Sequence, residues 1–125
     1  MSRKIIVADD SESVRQMIRF SLKQANYEVT EARNGSEALK KIRDTHTDML
    51  ITDLDMPGMN GIELIRNVRA ISGYQSLPIL ILTAKSDTLI KQKAKAAGAD
   101  GWITKPFRPA QLLAVVDKLL INKGC

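Results

Sequence analysis

The chain has 125 residues, 44% of them hydrophobic and 26% charged, with 19 basic against 14 acidic side chains and a net charge of +5. These proportions describe one globular domain over residues 1–125 and exclude a disordered tract or a multidomain enzyme. The single cysteine, Cys125, is the last residue, and no apolar run approaches the roughly 20 residues of a bilayer span, so a disulfide scaffold, a classical zinc site and a membrane protein are excluded and a reducing cytoplasm is expected.

The first predicted strand, Lys4–Ala8, is nearly continuous in Ile and Val, as parallel strands covered on both faces are. A helix follows, with Val14, Met17, Ile18, Leu22 and Ala25 repeating at three and four residues to form its buried stripe. Tyr27–Ala32 alternates and reads as an edge strand. Asn34-Gly35-Ser36 caps a second helix carrying Ala38, Leu39 and Ile42. Met49–Leu54 is again continuous, and Gly61 precedes a helix with Ile62, Ile65 and Val68. After Pro78–Thr83, the segment Leu89–Ala97 is lysine-rich outside, small-residue inside, and stopped by Gly98. Gly101–Thr104 is short enough for a second edge. Pro109 opens the last helix, whose stripe is Leu112, Val115, Val116, Leu119 and Leu120.

Five strands alternating with five helices predict a (βα)5 doubly wound α/β fold with right-handed crossovers. A closed barrel needs eight such units, so the parallel sheet is open. With the second and fifth strands at the edges, the order is 2-1-3-4-5. Ligands then bind beyond the carboxyl ends of strands 1 and 3, where the chain reverses direction.

Polar residues interrupt the apolar strands at that same edge. Strand 1 ends in Asp9-Asp10, strand 3 in Asp53 with Asp55 beyond, strand 4 in Thr83-Ala84 and strand 5 in Thr104-Lys105-Pro106. Carboxylates brought together repel by about 4 kcal/mol per close pair at an effective dielectric of about 20. Either their pKa values rise or a cation sits among them. Mg2+ prefers this oxygen chemistry and leaves coordination positions for phosphate; Mn2+ is an acceptable substitute. Lys105 adds an ammonium and Thr83 a hydroxyl, which together make a site for a phosphoryl group with Asp53 as nucleophile. Taken singly, each Asp also reads as a cap or turn former; their joint placement on the strand ends is what points to chemistry.

Val-Ala-Asp-Asp-Ser (7–11), Ile-Thr-Asp-Leu-Asp-Met-Pro-Gly-Met-Asn-Gly (51–61), Ile-Leu-Thr-Ala (81–84) and Gly-Ala-Asp-Gly-Trp-Ile-Thr-Lys-Pro-Phe (98–107) closely resemble the receiver domains of two-component response regulators. The likeness spans essentially the whole chain and is similar to the stand-alone CheY type, in chemotaxis or a related pathway. It implies that Asp53 accepts a phosphoryl group from a histidine kinase. It further implies that Asp10 and Asp53 ligate Mg2+ with the backbone carbonyl of Asp55, that Asp9 acts through water, and that Thr83 and Lys105 bind phosphoryl oxygens. Ala84 joins them as a cofactor-binding position. The Lys105–Pro106 bond is expected to be cis, and Thr83 with Trp102 to form the switch. On this resemblance the protein is not an enzyme toward external substrates; it catalyses only its own phosphorylation and dephosphorylation.

Two residues depart from the family pattern. Trp102 stands where most relatives carry Tyr or Phe, so the usual inward rotation is open to question and the indole also reads as plain edge packing. Asp55 adds a carboxylate beside the site, where relatives vary, and is expected to alter the phosphate lifetime.

The chief competing reading is a phosphatase of the haloacid dehalogenase type, from Asp53-Leu54-Asp55, although such enzymes place that motif on their first strand and need a longer chain. A flavodoxin-like cofactor binder would need Ser, Thr and Gly where Asp9-Asp10-Ser11-Glu12 stands, and Gly58 and Gly61 do not make a P-loop. No recognition motif or aromatic platform supports direct nucleic-acid binding. His46 lacks metal-ligand companions and reads as a surface residue, and Cys125 as a frayed thiol.

Charge gives one further expectation. Residues 85–108 hold six basic side chains against two acidic ones. Lys105 serves the acidic pocket, and against nucleic acid Lys91, Lys93 and Lys95 read as an ordinary solvated basic face. Lys91, Lys95 and Arg108 are left as a face for an acidic protein target of the phosphorylated monomer.

Overall fold

The computed structural model describes residues 2–123. Its elements are β1 (Lys4–Ala8), α1 (Glu12–Gln24), β2 (Glu28–Ala32), α2 (Gly35–Asp44), β3 (Met49–Thr52), α3 (Gly61–Arg69), β4 (Ile79–Thr83), α4 (Thr88–Ala97), β5 (Gly101–Thr104) and α5 (Pro109–Lys123). The five strands form one parallel sheet in the order β2-β1-β3-β4-β5. The predicted (βα)5 topology and both edge strands are therefore observed. Strands 2 and 4 begin one residue later than predicted, at Glu28 and Ile79, and β3 stops at Thr52, so that Asp53 and Leu54 already belong to the loop. Cys125 lies outside the described residues.

Strand side chains alternate between two cores, because successive residues of a strand face opposite sides of the sheet. Ile6, Ala8, Leu50, Ile79 and Ile81 pack beneath α2, α3 and α4. Ile5, Val7, Met49, Ile51, Leu80, Leu82 and Ile103 pack beneath α1 and α5. Burying each large aliphatic side chain contributes about 1.5–3 kcal/mol.

The helices are anchored unequally. Helix α3 buries Gly61, Leu64, Ile65 and Val68 and opens with a reciprocal capping box between Asn60 and Glu63. Helix α4 is held mainly at its ends. Among its residues only Ala94 is buried; Asp87 caps its start, and Gly98, at φ +120°, ends it. Arg69 secures that end by donating to the carbonyls of Tyr74, Leu77 and Gly98 and to the Asp100 carboxylate.

The stripe expected for α1 needs correction. Met17 is 41% exposed and Ala25 is the exposed C-cap, whereas Arg15, Ile18, Ser21 and Leu22 face inward. The sheet-facing line runs through 15, 18 and 22, and Met17 lies off it. Val115 of α5 is only partly buried, while Leu112, Val116, Leu119 and Leu120 form the inner face as expected.

Candidate functional site

The site stands where β1, β3 and β5 end. Asp9 follows β1 directly and is almost wholly buried, at 1% exposure. Its N–H donates to the carbonyl of Ala32 at 3.1 Å, extending the β1–β2 ladder. One carboxylate oxygen, Oδ1, accepts the N–H of Ser11 at 2.9 Å; the other, Oδ2, accepts from Lys105 Nζ at 2.8 Å. Asp10 is exposed beside it, just before α1, whose N-cap is Ser11.

Asp53 is buried and held by its backbone: its N–H donates to the Ala8 carbonyl at 2.8 Å. Its Oδ1 accepts the N–H of Leu54 at 2.7 Å, and Lys105 Nζ lies 3.4 Å from its Oδ2. Gly61 permits this arrangement. A Cβ there would stand 2.4 Å from the Asp53 carbonyl oxygen, so only glycine lets the start of α3 pass so close to the Asp53 backbone.

Asp9, Asp10 and Asp53 each offer a carboxylate oxygen, and these oxygens lie within 4.8 Å of one another. Burial raises the Asp53 pKa above its ordinary value; Lys105 opposes that rise and Asp9 adds to it. Burial also works against the Lys105 ammonium, but the hydrogen bond and charge of Asp9, with those of Asp53, hold its pKa above the usual lysine value. One ammonium thus only partly offsets two buried carboxylates, and Asp10 makes the cluster more negative still. That donor set fits a hard divalent cation: oxygen ligands at short mutual distance, with one carboxylate open to solvent.

The remaining predicted positions lie at the ends of β4 and β5 and in the loop after β3. Thr83 is buried at 1% exposure; its carbonyl accepts the Lys105 N–H at 2.7 Å, and its hydroxyl oxygen accepts the Lys85 N–H at 3.3 Å. Ala84 is exposed. The Asp55 carboxylate pairs with Lys85. The Lys105–Pro106 peptide is cis.

Trp102 is partly buried against the α2–α3–α4 core, with Lys91 Nζ 5.7 Å from its ring centroid. Among the described residues, its Nε1 and Thr47 Oγ1 are the buried side-chain polar atoms without a hydrogen-bond partner. Lys91, Lys95, Asp100, Gly101 and Trp102 are among the residues lining a cleft of about 300 Å3 between α4 and β5. Arg108 is exposed just before α5. His46 is a surface residue as expected, with Nε2 at 2.8 Å from Asp48 Oδ1.

Sequence reasoning missed Arg15. Its guanidinium is buried, donating from Nη1 to the Asp9 carbonyl at 2.7 Å and from Nε to Glu31 at 3.1 Å. The available signal was a basic residue spaced three and seven residues from the apolar Ile18 and Leu22.

Fold and site together define an acidic pocket at the carboxyl ends of the strands of a doubly wound parallel sheet. The sequence matches the response regulator receiver domain family over residues 5–117, and the chain belongs to that family. Among solved structures, it is similar to chemotaxis protein CheY4 of Vibrio cholerae, at 42% identity and a TM-score of 0.93 over 96% of this chain and 100% of that one. Among curated proteins, it is 38% identical to the transcriptional regulatory protein ResD of Bacillus subtilis over 94% of this chain and 48% of that protein. It is 39% identical to the DNA-binding response regulator MtrA of Mycolicibacterium smegmatis over 93% of this chain and 50% of that one. The chain thus spans about half the length of these curated relatives. No helix among the described residues is long and apolar enough to cross a membrane.

Proposed function

We propose that the protein is a cytoplasmic phosphoacceptor that takes a phosphoryl group from a histidine kinase onto Asp53 in the presence of Mg2+. The observation carrying this reading is the convergence of Asp9, Asp10 and Asp53 oxygens within 4.8 Å of one another, with the Lys105 ammonium against Asp9 and Asp53. An Asp53 oxygen attacks phosphorus; the new O–P bond forms as the donor's N–P bond breaks, and the bonding pair returns to the imidazole. Lys105 meets the charge growing on the phosphoryl oxygens. Asp10, with Asp53 and the Asp55 carbonyl, would hold the metal, which when bound supplies positive charge to the same oxygens. Asp9 keeps Lys105 in place. No external substrate is turned over.

Helix α4 and Trp102 form the output side of this reading. With only Ala94 buried, α4 is the helix least tied to the core and therefore suited to a small shift. Its basic cleft, with Lys91 and Lys95, and the exposed Arg108 fit an acidic protein segment, bound by the monomer and favoured by phosphorylation. The 42% identity to CheY4 supports a role in chemotaxis or a related pathway.

The test is intact mass after incubation with acetyl phosphate and Mg2+. The parent gains one phosphoryl group, and Asp53→Asn and metal-free samples gain none. Equal modification of Asp53→Asn would refute the assignment. Sustained turnover of a generic phosphate ester would favour a phosphatase.

A further inference from the structure

We propose that Arg15 is a positioning residue of the acidic site, fixing the Asp9–Asp10 peptide and thereby the place of the Asp10 carboxylate. The inference rests on the phosphoacceptor reading above. A buried guanidinium in the first turns of a helix is costly unless paired, and this one is paired in two directions. Nη1 donates to the Asp9 carbonyl at 2.7 Å, and Nε donates to Glu31 Oε1 at 3.1 Å. Glu31 is itself anchored. It sits in β2 opposite Val7 of β1, its second carboxylate oxygen lies 3.6 Å from Arg19, and Lys41 Nζ donates to its carbonyl at 2.6 Å.

The Asp9 carbonyl belongs to the peptide plane that carries the Asp10 N–H. With the Asp9 N–H bound to Ala32, its carboxylate to Ser11 and Lys105, and its carbonyl to Arg15, every polar group of Asp9 has a partner. The turn from β1 into α1 therefore has one backbone orientation. Asp10, exposed and at the end of that clamp, inherits its direction. Without the guanidinium fork the Asp9–Asp10 plane is free to rotate, and Asp10 leaves the set of three oxygens that the cation needs.

Magnesium affinity of the folded protein, measured calorimetrically, tests the inference. Arg15→Met and Arg15→Lys are compared with the parent, and Arg69→Met is the control. Arg69 is a similarly enclosed arginine donating to backbone carbonyls, but at the opposite, amino-terminal edge of the sheet. Both Arg15 variants are expected to bind Mg2+ about tenfold more weakly, as outer-shell substitutions do, because neither replacement can make the fork. Arg69→Met is expected to lower the unfolding midpoint and leave Mg2+ affinity at the parent value. Parent-like affinity in either folded Arg15 variant overturns the positioning role, and so does an equal loss in Arg69→Met, which would mean that destabilisation alone weakens the site. If Arg15→Met does not fold, Arg15→Lys decides. A parent that takes up no Mg2+ at all overturns the phosphoacceptor reading along with this one, whereas a parent that binds it separates the two.

Discussion

Lys85 Nζ lies 3.3 Å from Asp55 Oδ1, joining the loops that leave β4 and β3 beside the acidic cluster. Both side chains are largely exposed, so the pair adds little stability. Its consequence is local: it offsets a fourth carboxylate beside the cluster of Asp9, Asp10 and Asp53. Lys85→Ala is expected to slow phosphorylation by acetyl phosphate about threefold, the effect of one lost charge contact of somewhat under 1 kcal/mol. Lys85→Ala/Asp55→Asn should recover the parent rate. Rates come from the time course of intact mass, and a double variant as slow as the single one would dismiss charge compensation.

Gly61→Ala should damage site and fold together. The added Cβ must clear the Asp53 carbonyl oxygen, 2.4 Å away, and Leu54 Cα at 3.0 Å, both of them backbone. A loss of about 2–4 kcal/mol in denaturant unfolding is expected, within the range of severe packing errors, along with slower phosphorylation of the folded fraction. By contrast, Gly58→Ala has open space at Cβ and bears only the conformational cost of φ +76°, about 1 kcal/mol.

Tyr27 gives a pH signature. Its phenol donates to Asp117, and burial, followed by that hydrogen bond and the Asp117 charge, raises its pKa to about 12. The unfolded chain ionises nearer 10. Stability from the protonated phenol is therefore complete below about pH 10 and is lost as pH rises toward 12. In a Tyr74→Phe background, phenolate absorbance should show Tyr27 titrating near pH 12, and Asp117→Asn should move that midpoint down. A Tyr27 midpoint near 10 in the parent would disprove the coupling.

Trp102→Phe should cost less than about 1 kcal/mol, far below the 3–5 typical of removing a buried tryptophan side chain. The indole Nε1–H is buried without an acceptor, a penalty of about 1–3 kcal/mol that phenylalanine does not carry. Urea unfolding of both proteins measures the difference. A loss above 3 kcal/mol would show that the N–H is not penalised.

What was legible in the sequence follows from how each residue announces itself. Asp9, Asp10, Asp53 and Lys105 stand at the ends of apolar runs, where a charge is visible against Ile, Leu and Val, and the alternation of runs already placed those ends together. Arg15 was hidden because an arginine on an amphipathic helix reads as solvent-facing; only its carbonyl partner, supplied by the turn after β1, explains its burial. Met17 misled for the complementary reason. It fits a three-residue spacing from Val14, but the sheet contacts the helix along another line. The Lys85–Asp55 pairing was equally invisible, since two exposed charges on different loops carry no periodic signal.

Lys105 and Asp9, partners at 2.8 Å, are separated by 96 positions in the chain. No contiguous fragment shorter than that span contains both, so the charge balance of the site is a property of the completed sheet. A chain truncated before β5 would keep Asp9, Asp10 and Asp53 just beyond the ends of β1 and β3 with no Lys105 ammonium among them, and their repulsion would act against the pairing that brings them together. For engineering, the same fact means that the site cannot be transplanted as a loop or a βα unit; it travels only with all of its strands.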